Sequence, residues 1–431
     1  MSRQQAEAYR TLDLRIRRCK SLGRSFTISH VITPSTRTAQ FHYAIRNIVT
    51  SAEALERSGR KVTYLNIGDP QVFGFRPPDS IVEVVQRALK ESFTGYAHST
   101  GLPEAKLSIA EYASRLGSPT TPNDVIVTSG ASEAADLVLT ALLNEGEEAL
   151  LPAPGYPIYP AIIAKLGAVA RYYTLDQQNK WQPSVDEIAS LINKRTRAIV
   201  LINPNNPTGS ITPDESTRQI LSLAAENELV VISDEVYREL CFVKAPTSAS
   251  VLASAMTDGT VAAVITLESL SKTHLIPGWR VGWMRFTHAD KMRELITAIT
   301  RLASGRLCAP TPPQYAIKPA LEGDRSFMND FVSQLKARRD FAVSQIRDIA
   351  GLSCTTPEAA FYLMVKVEDL RDWTDEQFVL ELLEATGVLV VHGSGFGCDP
   401  RAGFFRLVYL ANQDLLSSAL TRIHNFMDLP K

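Results

Sequence analysis

A chain of 431 residues, 45% hydrophobic and 21% charged, has an ordinary globular composition and enough length for two or three domains around a large core. Its 45 basic and 46 acidic side chains leave a formal net charge of −1, so no global field draws it to nucleic acid or to an anionic membrane. Five scattered cysteines with no Cys-x-x-Cys argue against a disulfide scaffold or a zinc–cysteine site and for a reducing, cytoplasmic setting, and no apolar run approaches the roughly 18 residues of a membrane span.

The first 40 residues hold eight basic side chains against two acidic ones and lack an apolar signal core, which reads as a basic arm lying on the surface or on a partner subunit. From about residue 120 one rhythm repeats: a short β-rich run, a turn cluster, then an amphipathic stretch. Strands are predicted at 125–128, 148–152, 197–203, 229–233 and 261–267, with a helix running from Ala131 to Leu143. Unbroken apolar runs alternating with helices specify an α/β fold, a mostly parallel sheet covered on both faces. After about residue 325 long charged helices and short strands at 363–367 and 405–410 indicate a smaller α+β domain.

In such sheets ligands sit beyond the carboxyl ends of the strands. The loops expected there carry the chemistry. Ser129-Gly130-Ala131-Ser132 opens a helix, where free amides and the helix dipole favour an anion. Ser269-Leu-Ser271-Lys272 places a lysine among small and apolar residues, where a lowered pKa makes it a nucleophile, and Arg280 follows as a forked phosphate donor. Ser233-Asp234-Glu-Val-Tyr237 puts a carboxylate and a phenol at another strand end, and Asn203-Pro-Asn-Asn206-Pro-Thr-Gly209 adds an amide. A carboxylate beside a pyridine nitrogen keeps that ring protonated, which makes it an electron sink. Each loop alone is accounted for as a cap or a turn; their succession at strand end after strand end is not.

These loops, with Tyr43-Ala-Ile-Arg46, Leu65-Asn-Ile-Gly68-Asp-Pro70, Gly95-Tyr96-Ala-His-Ser-Thr-Gly101, Pro152-Ala-Pro-Gly-Tyr156-Pro157, Arg306-Leu-Cys-Ala-Pro310, Val391-His-Gly-Ser-Gly-Phe-Gly397 and Phe405-Arg406, resemble the class I, fold type I pyridoxal-phosphate aminotransferases. The strongest match is to the alanine aminotransferase-like branch, and it runs from about residue 41 to the C-terminus. The resemblance implies a large domain over 76–324 with a mostly parallel seven-stranded sheet sandwiched by helices, and a smaller α+β domain made of 41–75 and 325–431.

It also implies roles. Lys272 would bind pyridoxal 5′-phosphate and shuttle the proton at the substrate Cα. Asp234 would pair with the ring nitrogen, Asn206 and Tyr237 would contact the ring hydroxyl, and Tyr156 would cover the ring face. Gly130, Ala131, Ser132, Ser269, Ser271 and Arg280 would hold the phosphate, with Tyr96 reaching the cofactor of the other subunit in a homodimer. Arg406 would clamp the substrate carboxylate with Asn206 and the Gly68 backbone.

Tyr43 and Arg46 resemble a segment closing over the pocket. Arg306 is either a distal-carboxylate arginine or a salt bridge at the domain interface. The expected reaction is a ping-pong exchange between L-alanine and 2-oxoglutarate. Aromatic or broad specificity, or a C–S lyase on the same scaffold, are the alternatives.

Overall fold

The computed structural model describes residues 32–40, 48–256 and 261–428. Contacts divide the chain at Ala39 into a short N-terminal unit and a unit from Gln40 onward. In the first, residues 32–35 lead into a 3-10 turn over Thr36–Gln40, where the Thr38 hydroxyl donates to the Ser35 carbonyl at 2.6 Å. Most of the basic arm, and both Tyr43 and Arg46, lie outside the described residues.

The second unit contains a large sheet built from β1 (Val125–Ser129), β2 (Glu148–Ala153), β3 (Val169–Asp176), β4 (Gln182–Pro183), β5 (Thr196–Ile202), β6 (Val230–Asp234), β7 (Ala263–Ser269) and β8 (Val281–Thr287). Their order across the sheet is β1-β8-β7-β6-β5-β2-β3-β4. The five strands from β7 to β3 run parallel, while β8 lies antiparallel to both β1 and β7. The sheet therefore has eight strands where seven were expected. The addition is β4, a two-residue hairpin return onto β3, too short and too proline-rich to register as an apolar run.

The continuous apolar strands work by alternation. Ala198, Val200 and Ile202 of β5 and Ile232 of β6 face a core shared with helices Ala131–Leu142, Ile158–Leu166 and Arg293–Gly305. Ile199, Leu201 and Val231 face the opposite core, shared with Asp214–Glu226 and Ala249–Ser254. A second, antiparallel sheet has the order β9 (Leu352–Cys354), β10 (Tyr362–Val367), β12 (Phe404–Val408), β11 (Val391–His392). Its core takes in Ala52, Leu55 and Leu65 from the N-terminal side, and Thr63–Tyr64 pairs with Val388–Leu389. Among the described residues no helix is long and apolar enough to cross a membrane.

Charge is buried between β6, β7 and β8. Glu268, on β7, accepts from Trp283 Nε1 at 2.9 Å and from Arg285 Nε at 2.7 Å, and Arg285 is fully buried. Arg238 bridges towards the same carboxylate and pairs with Glu235 at 3.2 Å. Burial pushes the Glu268 carboxyl upward, but Arg285 and Arg238 outweigh it and hold the group below its ordinary value. This cluster ties the strand ends that carry Asp234 and Ser269. Glu268→Ala strands two buried guanidinium groups and is expected to lower the unfolding free energy by about 3–5 kcal/mol. Chemical denaturation measures this, and a loss below about 1 kcal/mol contradicts the account.

Candidate active site

The direction of β8 explains how the site assembles. Because β8 runs antiparallel, its first residues lie at the same edge as the last residues of β1 and β7. Arg280, just before β8, thus meets Ser129, which ends β1, and Gly130, just after it. Its Nη2 donates to the Ser129 carbonyl at 3.2 Å and its Nη1 to the Pro277 carbonyl at 3.0 Å. Gly130 is the N-cap of helix Ala131–Leu142, at φ +77°, and a Cβ there would stand 2.3 Å from Arg280 Nη2. Glycine is required both by the left-handed backbone and by the guanidinium. The Ser269 hydroxyl donates to the Val281 carbonyl at 2.7 Å and accepts from the Ser271 amide at 3.1 Å. Amides, hydroxyls and one guanidinium form a cradle suited to a phosphate.

A cavity of about 880 Å³ opens from this cradle. Gly68, Ala131, Ser132, Tyr156, Asn206, Asp234, Tyr237, Ser269, Ser271, Lys272, Arg280 and Arg406 all line it. Lys272, half-buried, donates from Nζ to the Gly68 carbonyl at 2.8 Å. Burial lowers its pKa to about 8; Asp69 opposes that shift, and Arg406 and Arg280 add to it. Arg406, on β12, donates to the Asn206 side-chain oxygen at 3.0 Å and to the Asn66 carbonyl at 2.5 Å. Its guanidinium carbon stands 4.5 Å from the Tyr362 ring centre and 4.6 Å from that of Phe396.

Asp234 ends β6 almost fully buried. It accepts from the Tyr159 hydroxyl at 2.8 Å and from the Val236 amide at 3.4 Å. Burial nonetheless pushes its carboxyl up to about 6, and the neighbours that shift it include no cation. A carboxylate in that state would be relieved by a protonated ring nitrogen. The phosphate cradle, the uncompensated Asp234 and the low-pKa Lys272 together fit pyridoxal phosphate in chemistry and in placement.

Three expected residues stand elsewhere. Tyr96 is 84% exposed and outside the cavity. Arg306 does not line it either: it pairs with Glu133 at 2.8 Å and donates to the Ser99 and Val127 carbonyls at 3.2 and 2.9 Å. Within this chain these contacts brace the helix start against β1. Gly130 is not among the residues lining the cavity, but it stands against Arg280, which is. Conversely, Tyr159 and Tyr362 line the cavity without having been singled out. Tyr159 could have been found from its place three residues after Tyr156, one turn along the same helix start; Tyr362 carries no local signal.

A lysine amine with a pKa near 8 becomes nucleophilic at mild pH. In the apoprotein, labelling of Lys272 by an amine-reactive reagent, followed by mass spectrometry, is expected to rise with pH with a midpoint near pH 8. A midpoint near the ordinary 10.5 contradicts the burial of the amine.

Comparison with known proteins agrees with this geometry. The family model for aminotransferase class I and II matches residues 60–423. A glutamate-pyruvate aminotransferase, AlaA, of Haemophilus influenzae is 37% identical over 396 residues, covering 89% of this chain and 95% of the relative. The solved alanine aminotransferase from Pyrococcus furiosus superposes with a TM-score of 0.88 at 40% identity, covering 92% of this chain and 99% of that one. The aspartate aminotransferase of Thermotoga maritima gives 0.82 at 30% identity, with coverage of 92% and 100%. A strand-end lysine, a buried carboxylate and a phosphate cradle on this fold have one common reading: the chain belongs to the class I and II aminotransferase family and is a pyridoxal-phosphate-dependent transaminase.

Proposed function

We propose that the chain moves the amino group of L-alanine to 2-oxoglutarate in a ping-pong cycle, yielding pyruvate and L-glutamate. The observation that carries this reading is how the arginines are committed. Arg280 and Arg406 line the cavity, Arg280 beside the cradle and Arg406 beside Asn206. Arg306 is held by Glu133 instead. One arginine at the phosphate and one at the substrate leave a single carboxylate clamp among the described lining residues. That suits an amino acid whose side chain is a methyl group. The relatives named glutamate-pyruvate aminotransferase and alanine aminotransferase support 2-oxoglutarate as the partner oxo acid. For the second carboxylate of 2-oxoglutarate, Arg46, outside the described residues, is our candidate.

Bound pyridoxal phosphate supplies an electrophilic carbon for the amino group and a protonated ring that takes up the electron pair left at Cα. The chain's own groups do the rest. Arg406 and Asn206 grip the α-carboxylate and so fix the Cα–H bond. Lys272 Nζ, beside the Gly68 carbonyl, would take that proton from Cα and hold it for return on the far side of the amino nitrogen. Asp234 keeps the ring nitrogen protonated, and Tyr156 covers the ring. The exposure of Tyr96 supports a homodimer in which it reaches the partner's cofactor phosphate. The shared core of Ala52, Leu55 and Leu65 with residues 328–426 supports a small domain assembled from 41–75 and 325–431, around a large domain over 76–324.

Spectroscopy of the holoenzyme tests the substrate. L-Alanine alone is expected to convert the yellow chromophore to the pyridoxamine form with release of pyruvate, and 2-oxoglutarate to restore it. kcat/KM for alanine should exceed that for phenylalanine by at least about tenfold, or 1.4 kcal/mol in transition-state binding. Faster conversion by phenylalanine, or ammonia release from cystathionine with no conversion of the chromophore to the pyridoxamine form, contradicts the reading.

A further inference from the structure

Tyr362 stands where three site elements meet. Its hydroxyl lies 2.7 Å from that of Tyr237. Its ring lies under the Arg406 guanidinium at 4.5 Å. The third element is Gly68: a Cβ there would come within 2.5 Å of the Tyr362 hydroxyl. Sheet register produces the arrangement. Met364 of β10 is opposite Arg406 of β12, which puts Tyr362, two residues back on the same face, diagonal to Arg406. The Tyr237 and Tyr362 rings cross at 81° with centres 5.6 Å apart, so that the two hydroxyls converge.

Two phenols joined by one hydrogen bond share it unequally: one donates, and the other keeps a proton for a further acceptor. An acceptor oxygen in the cavity draws the proton of Tyr237, which lines it and is otherwise enclosed. Tyr237 can then accept from Tyr362, and a phenol that accepts one hydrogen bond donates a stronger one. The same ring that supplies this proton braces the carboxylate clamp.

We infer that Tyr362 is a positioning residue: it donates to Tyr237 so that Tyr237 donates to the cofactor's ring oxygen, and its ring holds Arg406 over the substrate carboxylate. This rests on the aminotransferase reading of the cavity. The hydroxyl serves the cofactor side and the ring serves the substrate side, so the two contributions are separable by substitution.

The test compares Tyr362→Phe, Tyr362→Leu, Tyr237→Phe and the double variant Tyr237→Phe/Tyr362→Phe. The readouts are pyridoxal-phosphate affinity of the apoprotein by titration, and kcat and KM for L-alanine. Tyr362→Phe keeps the ring, so KM is expected within about twofold of wild type, while kcat and cofactor affinity each fall about fivefold, the worth of one hydrogen bond. Tyr362→Leu loses the ring as well, and KM rises about tenfold. In the Tyr237→Phe background, removal of the Tyr362 hydroxyl is expected to change kcat and affinity by less than about twofold, because its route of action is gone. Wild-type kcat and affinity in Tyr362→Phe, or the same fivefold losses in both backgrounds, overturn the inference. Failure of the wild-type chain to bind pyridoxal phosphate or to transaminate overturns the reading beneath it instead.

Discussion

The site depends on an amine partly withdrawn from water. Lys272 Nζ has the Gly68 carbonyl as its partner at 2.8 Å, and desolvation, aided by two arginines, lowers its pKa to about 8. An ordinary exposed lysine is almost wholly protonated at neutral pH and attacks nothing. Everything nearby serves to make that amine usable. Gly68 has no side chain to fill the space where Phe361 and Tyr362 close in. Asp69 opposes the shift, which keeps it moderate. The cations that disfavour Lys272 as an ammonium, Arg406 and Arg280, are the ones proposed to bind the anions of substrate and cofactor, so under that proposal ligand binding and tuning of the amine share the same groups.

The fold contributes by bringing strand ends together. Parallel strands β5, β6 and β7 deliver Asn206, Asp234 and Lys272 to one edge. The reversal of β8 then adds Arg280, which a purely parallel sheet would send to the far edge. Arg406 comes from the second sheet, so the proposed carboxylate clamp depends on how that sheet sits beside the Asn206 loop within the same unit. The buried cluster of Glu235, Arg238, Glu268 and Arg285 binds the strands just beneath the reacting groups. Its burial makes it costly to break, which favours a rigid floor under the site.

Much of this could be read in residue order, because the strands buried on both faces are apolar runs and the turns after them are chemically distinctive. The strands at 125–128, 148–152, 197–203, 229–233 and 261–267 each correspond to an observed strand, with ends shifted by one or two residues. Twelve of the expected site residues line one cavity. What could not be read is what depends on pairing between distant segments. Whether Arg306 meets a ligand or a carboxylate turned on Glu133, 173 positions earlier, at the first turn of another helix. Tyr362 lies in an unremarkable β run, and its importance arises only from a register that sets it diagonal to Arg406. The eighth strand was invisible because two residues, one of them proline, make no pattern.

The central claim is that one amine does the proton work, and Lys272→Ala tests it most directly. Turnover of L-alanine with 2-oxoglutarate, measured with the variant saturated in pyridoxal phosphate, is expected to fall by more than about a thousandfold while the cofactor still binds through its phosphate cradle. Turnover within about tenfold of wild type, a barrier change of only some 1.4 kcal/mol, would contradict the account.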